Sequence, residues 1–200
     1  MDIDWKFIGR LEGASVLEGY VPTNKAGKVI GHSGVTIATG IDLGQMNKDD
    51  LYKVLAQKIP FPTELYDRLE PYLMAQKTIA RDILKKQPLT ITKEESDLLD
   101  FAKKKLVYNE LSGYWDIQAE VSFADLPKEA RTVLFSLAWN FGTGLKYDYP
   151  HTWTIFKKCA AEGKWDNAYI WLKNFPSKDK ELITRRREEA DYLAPLTTLH

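Results

Sequence analysis

HSGVTIATGIDLGQ, residues 32–45, brackets one short β-branched run with glycines and small residues. Val35, Ile37 and Thr39 alternate with Thr36, Ala38 and Gly40 at the two-residue period of a strand, so one face can pack while the other carries only small groups and a hydroxyl. That second face has room for a ligand. Fully extended, Thr36 and Asp42 would stand roughly 20 Å apart at ~3.3 Å per residue, too far to act on one atom. Cooperation between them requires a bend near Gly40, which Gly40 and Gly44 permit at little steric cost. The same stretch also fits a plain core strand closed by an Asp-Leu-Gly turn.

Upstream, Asp2 or Asp4 can cap a helix in which Trp5, Ile8 and Glu12 follow at i, i+3 and i+7 before Gly13 stops it. Glu12 then ends an apolar stripe, where partial desolvation favours a protonated carboxyl. The alternative is an exposed last-turn glutamate. Residues 20–33 read as strand, turn and strand, with Asn24 to Gly27 in the turn; with residues 35–39 they complete a small antiparallel sheet. Asn47 and Asp50 open the next helix, which Pro60 and Pro62 end, and a short helix spans residues 63–72.

Beyond Met74 only helix patterns remain. Thr92 and Glu95 form a capping box ahead of Leu98, Leu99, Ala102 and Leu106. Asp125 and Pro127 open a helix whose stripe is Ala130, Leu134, Leu137 and Phe141, ended by Gly142 and Gly144. Shorter helices are expected at 153–159 and 165–172, and a last one at 178–193. The expected fold class is α+β, with a small N-terminal lobe of helix plus β-hairpin over residues 1–73 and a larger all-helical lobe over 74–200, together one domain.

Lys plus Arg equals Asp plus Glu at 28 each, and 44% of residues are apolar. The composition predicts an ordered globular core, without the field to gather nucleic acid or the basic excess to anchor on an acidic membrane. The lone Cys159 excludes an intramolecular disulfide and argues against a cysteine metal site; the scattered His32, His151 and His200 argue against a zinc centre. The opening MDIDWKFIGR lacks a signal-peptide pattern, and no apolar run of membrane-spanning length occurs. Synthesis in the cytoplasm without membrane insertion is therefore expected.

A protonated carboxyl at a helix end, followed by a hairpin bearing a carboxylate and a hydroxyl, suffices for glycosidic bond cleavage. Glu12 would protonate the leaving oxygen, a role typically worth about 10²–10⁴-fold. Asp42 would activate a water or shield the oxocarbenium-like charge, and Thr36 would orient that water. Carboxyl groups roughly 6.5–9.5 Å apart favour inversion of configuration, and ~5–5.5 Å favours retention. Glu18, just ahead of Gly19 and Tyr20, is the competing acid and ranks below Glu12.

RLEG (10–13), GYVP (19–22) and SGVTIATGIDLGQ (33–45) resemble the pesticin-like toxin muramidases, within the phage-type lysozyme-like superfamily. LFSLAWNFGTGL (134–145), AAEGKWDNAYIWL (160–172) and ITRRREEADYL (183–193) resemble successive helices of phage endolysins, in family order. The resemblance implies a lysozyme-like bilobal fold. Glu12 matches the general acid, Thr36 the catalytic threonine and Asp42 the aspartate of the pesticin-like branch. No aspartate lies between Glu12 and Thr36, where phage enzymes place theirs.

Arg185 resembles the arginine that reaches from the helical lobe toward the catalytic glutamate. Alternatively, Arg185 to Arg187 form a solvated face partnered by Glu188 and Glu189. Tyr20 is expected at the cleft edge. Asn140 either hydrogen-bonds sugar amides or caps its helix end. The implied activity is hydrolysis of the β-1,4 bond between N-acetylmuramic acid and N-acetylglucosamine in peptidoglycan, by a monomer needing no cofactor. A toxin or effector of this kind would act in the periplasm or wall of a target bacterium after non-classical export, opposed by an immunity protein. The rival readings are a phage endolysin, a peptidoglycan-binding module without catalysis, a chitin or chitosan hydrolase, a lytic transglycosylase, and an adaptor of a secretion particle.

Overall fold

Asp4 starts α1 (Trp5–Glu12): its Oδ1 accepts the amide N–H groups of Lys6 and Phe7 at 3.0 and 2.9 Å, two donors that lack partners within the helix. The structure, a computed structural model, describes residues 1–199; His200 lies outside them. The chain divides into two compact units, one of Glu12–Leu106 and one joining Met1–Leu11 to the chain from Val107 onward.

In the unit of residues 12–106, β1 (Val16–Tyr20), β2 (Thr36–Ala38) and β3 (Ile41–Asp42) form an antiparallel sheet in that order. The strand, turn and strand expected over 20–33 is present mainly as its turn. There the Asn24 carboxamide accepts the N–H groups of Ala26 and Lys28, and one bridge joins Thr23 to Val29. The regular strand lies earlier because residues 89–91 claim its outer edge: Gly19 donates to the Leu89 carbonyl and Ile91 to the Leu17 carbonyl, each at 2.9 Å.

These bonds, with a bridge between Gly34 and Gln76, tie residues 74–106 to the sheet. The division expected after residue 73 therefore falls inside this unit, which ends at Leu106. Its helices are α2 (Lys48–Leu55), α3 (Thr63–Leu69), α4 (Lys77–Lys86) and the first half of α5 (Lys93–Asp116). Asn47 and Asp50 make the expected capping box on α2, and Thr92 and Glu95 exchange bonds of 3.2 and 2.9 Å ahead of α5. Val35, Ile37, Leu43, Leu51, Leu55, Leu69 and Leu99 are buried together beneath the sheet.

The other unit contains α6 (Lys128–Phe141), α7 (Leu145–Asp148), α8 (Pro150–Glu162), α9 (Asp166–Lys173) and α10 (Lys180–Leu193). Every residue of α6 from Thr132 to Ala138 is buried, so the helix is enclosed on all sides instead of along the one stripe expected. α1 joins this core through Phe7, stacked on Tyr192 with centroids 4.2 Å apart, and through Trp5, edge-on to Phe135 at 5.1 Å. Cys159, on α8, is 1% exposed, and burial pushes its thiol pKa up. Among the described residues no helix is long and apolar enough to cross a membrane.

Candidate active site

The hairpin of residues 36–42 turns sharply. Ala38 (φ +51°) and Gly40 (φ +78°) adopt left-handed backbone, so Ile37 pairs with Ile41 and Thr36 with Asp42. Residues opposed in this way have Cβ atoms about 4.5–5.5 Å apart, a quarter of the extended separation. On the other edge of β2, Tyr20 pairs with Thr36. Tyr20, Thr36 and Asp42 therefore form one row across the sheet.

The apex of the hairpin is clasped from α5. Asp100 accepts the Thr39 amide N–H at 3.0 Å and its hydroxyl at 2.6 Å, with both residues 9% exposed. Sequence reading missed Asp100, since one acid in a helix pattern carries no sign of a partner 61 residues away.

Asp42 Oδ1 accepts the N–H groups of Gly34 and Gly44 at 3.0 and 2.9 Å, and Oδ2 accepts that of Gly34 at 3.3 Å. Burial raises its pKa above 3.8, opposed by the N–H groups of Gly34, Gly44 and Gln45. The Thr36 hydroxyl, on a residue 4% exposed, donates to the Gly34 carbonyl at 3.5 Å. A bond that long is weak, so the hydroxyl can turn to a better partner. Gly44 serves here as a contact residue: a Cβ on it would lie 2.4 Å from the Ala75 carbonyl oxygen and 2.6 Å from Gly34 Cα.

Glu12 is the last residue of α1 and is half-buried, ahead of Gly13 at φ +78°. Four peptide links tether it to Val16 on β1, a reach of at most roughly 14 Å. Thr36, Asp42 and Tyr20 are thus brought together by strand pairing, while Glu12 is held near β1 by connectivity. Tyr20 is 41% exposed. Glu18 is exposed and bridges to Thr90. His32 is exposed, and its carbonyl accepts the Gln45 carboxamide at 2.7 Å.

Arg185 and Asn140 belong to the other unit. Arg185 is not part of a solvated face. Its side chain, 14% exposed, donates to Ser136 Oγ at 3.1 Å and to Glu189 Oε1 at 3.4 Å. Its neighbour Arg186 and Glu189 are fully buried and meet at 2.8 Å. The reason is packing: α10 lies on α6, where Ser136 and Asn140 supply polar partners. Burial raises the Glu189 pKa, and the Arg186 and Arg185 guanidiniums with the Ser136 hydroxyl oppose it. Arg186 Nη2 donates to Asn140 Oδ1 at 3.2 Å and its guanidinium lies 4.8 Å over the Phe141 ring. Asn140 itself is exposed, with its side-chain oxygen engaged by Arg186. With Leu11, Asp179, Leu182 and Arg185 it lines a depression of about 380 Å³. Among the described residues no group of three His, Cys, Asp or Glu side chains could hold a metal ion.

The family model of pesticin, described as a bacterial toxin homologue of phage lysozyme, C-terminal part, matches residues 2–165. Among solved structures, the crystal structure of the active form of the P1 phage endolysin Lyz is similar with a TM-score of 0.54 at 18% identity, over 100% of this chain and 89% of that one. No curated protein sequence matches the chain. The likeness in fold identifies the helices and three-stranded sheet as a lysozyme-like α+β fold.

Proposed function

Because this chain belongs to the family of pesticin, the bacterial toxin homologues of phage lysozyme, we propose that it is a muramidase, hydrolysing the β-1,4 bond between N-acetylmuramic acid and N-acetylglucosamine in peptidoglycan. Glu12 delivers a proton to the leaving glycosidic oxygen, which departs poorly as an alkoxide. Asp42 takes a proton from the attacking water or faces the positive charge growing at the anomeric carbon. Thr36 orients that water.

The row of Tyr20, Thr36 and Asp42 carries this reading, because it gathers a sugar-sized aromatic, a hydroxyl and a carboxylate on adjacent strands. A carboxylate offers about four lone-pair directions. The Gly34 and Gly44 N–H groups fix the orientation of Asp42 while leaving Oδ2 capacity for water. In this reading the protein is an antibacterial toxin or effector, countered by an immunity protein that covers the site.

The test is wild type beside Glu12→Gln on purified sacculi, with mass spectrometry of the products. A fall of about 10²–10⁴-fold in the variant is expected, with reducing-end muropeptides from the wild type. Equal activity would remove Glu12 as the acid, and anhydro ends would replace hydrolysis by transglycosylation.

A further inference from the structure

Besides the row of Tyr20, Thr36 and Asp42, the unit of residues 12–106 holds a cavity of about 450 Å³, lined by Lys28, Val29, Gly31, Lys77, Thr78 and Arg81. Three of these six residues are cations and none is an acid. Among the described residues no carboxylate stands within ion-pair distance of Lys28, Lys77 or Arg81. In a chain with as many acids as bases, three uncompensated like charges around one hollow raise the local potential and favour an anion there.

The cavity is built by the fold. The Arg81 guanidinium donates to the Gly27 carbonyl, which fixes it against the turn of residues 24–28, next to Lys28. Lys77 has φ +54°, one of three residues other than glycine with left-handed backbone among those described. A side chain is disfavoured in that conformation, yet the position carries a lysine. The cavity also adjoins the catalytic hairpin. The Lys77 N–H donates to the Ser33 carbonyl at 2.9 Å, and the next residue, Gly34, gives its N–H to Asp42.

Resting on the muramidase reading, we propose that this cavity binds the carboxylates of the peptide stem carried by N-acetylmuramic acid. The glycan chain itself is uncharged at its acetamides and hydroxyls, so the stem carboxylates are the anions that a peptidoglycan strand brings beside its scissile bond. Lys77 and Arg81 pair with one carboxylate, Lys28 closes over it, and the Thr78 hydroxyl adds a donor. The site selects peptide-bearing glycan over neutral polymers such as chitin.

Amide NMR titration with a soluble stem tripeptide, set against the same tripeptide with its carboxylates amidated, reads binding without any turnover. Shifts at Lys28, Val29, Gly31, Lys77, Thr78 and Arg81 are expected with the free acid only. They should be lost in Lys77→Gly, which removes the charge while suiting the left-handed backbone, and kept in Lys77→Arg. Shifts elsewhere, equal shifts with the amidated peptide, or binding of inorganic phosphate as tight as that of the tripeptide would overturn the proposal.

In turnover, the ratio of kcat/KM on peptide-bearing strands to that on amidase-stripped strands should fall about tenfold in Arg81→Gln and Lys77→Gly, chiefly through KM. An unchanged ratio would overturn the proposal even if the tripeptide binds. If the wild type cleaves no glycan, the muramidase reading fails while the titration still judges the cavity.

Discussion

Gly34 and Gly44 touch backbone to backbone: a Cβ added to Gly34 would lie 2.4 Å from Gly44 Cα and 2.4 Å from the Ala75 carbonyl oxygen. Neither obstacle is a side chain that can swing away. Gly34→Ala should therefore separate the start of β2 from the turn after β3, at a cost of about 1–3 kcal/mol or more. For a chain of this size that is a fall of roughly 2–4 °C in melting temperature per kcal/mol. The control is Gly113→Ala, exposed in the last turn of α5 (Lys93–Asp116), where the new Cβ would meet nothing within 4 Å beyond its own helix. It should raise the melting temperature, through a gain in helix propensity of up to about 1 kcal/mol. Equal melting temperatures for the two variants would contradict the contact.

On the proposed mechanism, Asp42 couples stability and activity with opposite signs. Its folded pKa lies above 3.8 because of burial, so over the interval above 3.8 the native state holds a proton that the unfolded chain has released. The stability this supplies is complete below 3.8 and is lost as pH rises through the folded value. Asp42→Asn keeps an oxygen for the Gly34 and Gly44 N–H groups but does not titrate. Relative to wild type it should gain stability as pH rises from 3.8, measured by urea unfolding at a series of pH values. Its hydrolytic rate at neutral pH should fall by about 10²–10⁴-fold, the worth of a general base.

Asp100→Asn should loosen the hairpin apex. The substitution exchanges an acceptor of two bonds from Thr39 for a group with one oxygen and one NH₂, so one buried donor loses its partner at a cost of about 1–3 kcal/mol. Amide hydrogen exchange should accelerate at Thr39 and Ile41 ahead of the α5 amides. Uniform acceleration across the unit would mean that Asp100 acts on global stability alone.

Arg186 and Glu189 invite a double-mutant cycle. Glu189→Ala leaves the enclosed Arg186 guanidinium without its carboxylate and should cost about 3–5 kcal/mol. Arg186→Met combined with Glu189→Leu removes both charges and should recover much of that loss, since paired charges in a core often gain little over apolar groups of similar size. Additive losses in denaturant unfolding would contradict the coupling.

The local signals of this chain were legible before any coordinates: the Asn47 and Thr92 capping pairs, the Asp4 cap, and the need for a bend near Gly40. Each depends on residues within a few positions of one another. What escaped the sequence depends on partners far along the chain. Residues 89–91 flank β1 only because the chain returns there 70 residues later. Asp100 and Ser136 read as ordinary helical positions until the helices meet. The alternative reading of Arg185 to Arg187 as a solvated face follows from charge predicting exposure, yet the polar wall of α6 admits Arg185 and Arg186.

Cys159 gives the fold an indifference to redox conditions. Its sulfur is buried on α8 with burial favouring the protonated thiol, and these 200 residues hold no second sulfhydryl to join it. No cross-link has to form or survive for the native state to persist, so reductant and oxidant should unfold it at the same temperature. A protein built this way can pass from a glutathione-rich interior to an oxidising exterior without its stability being reset.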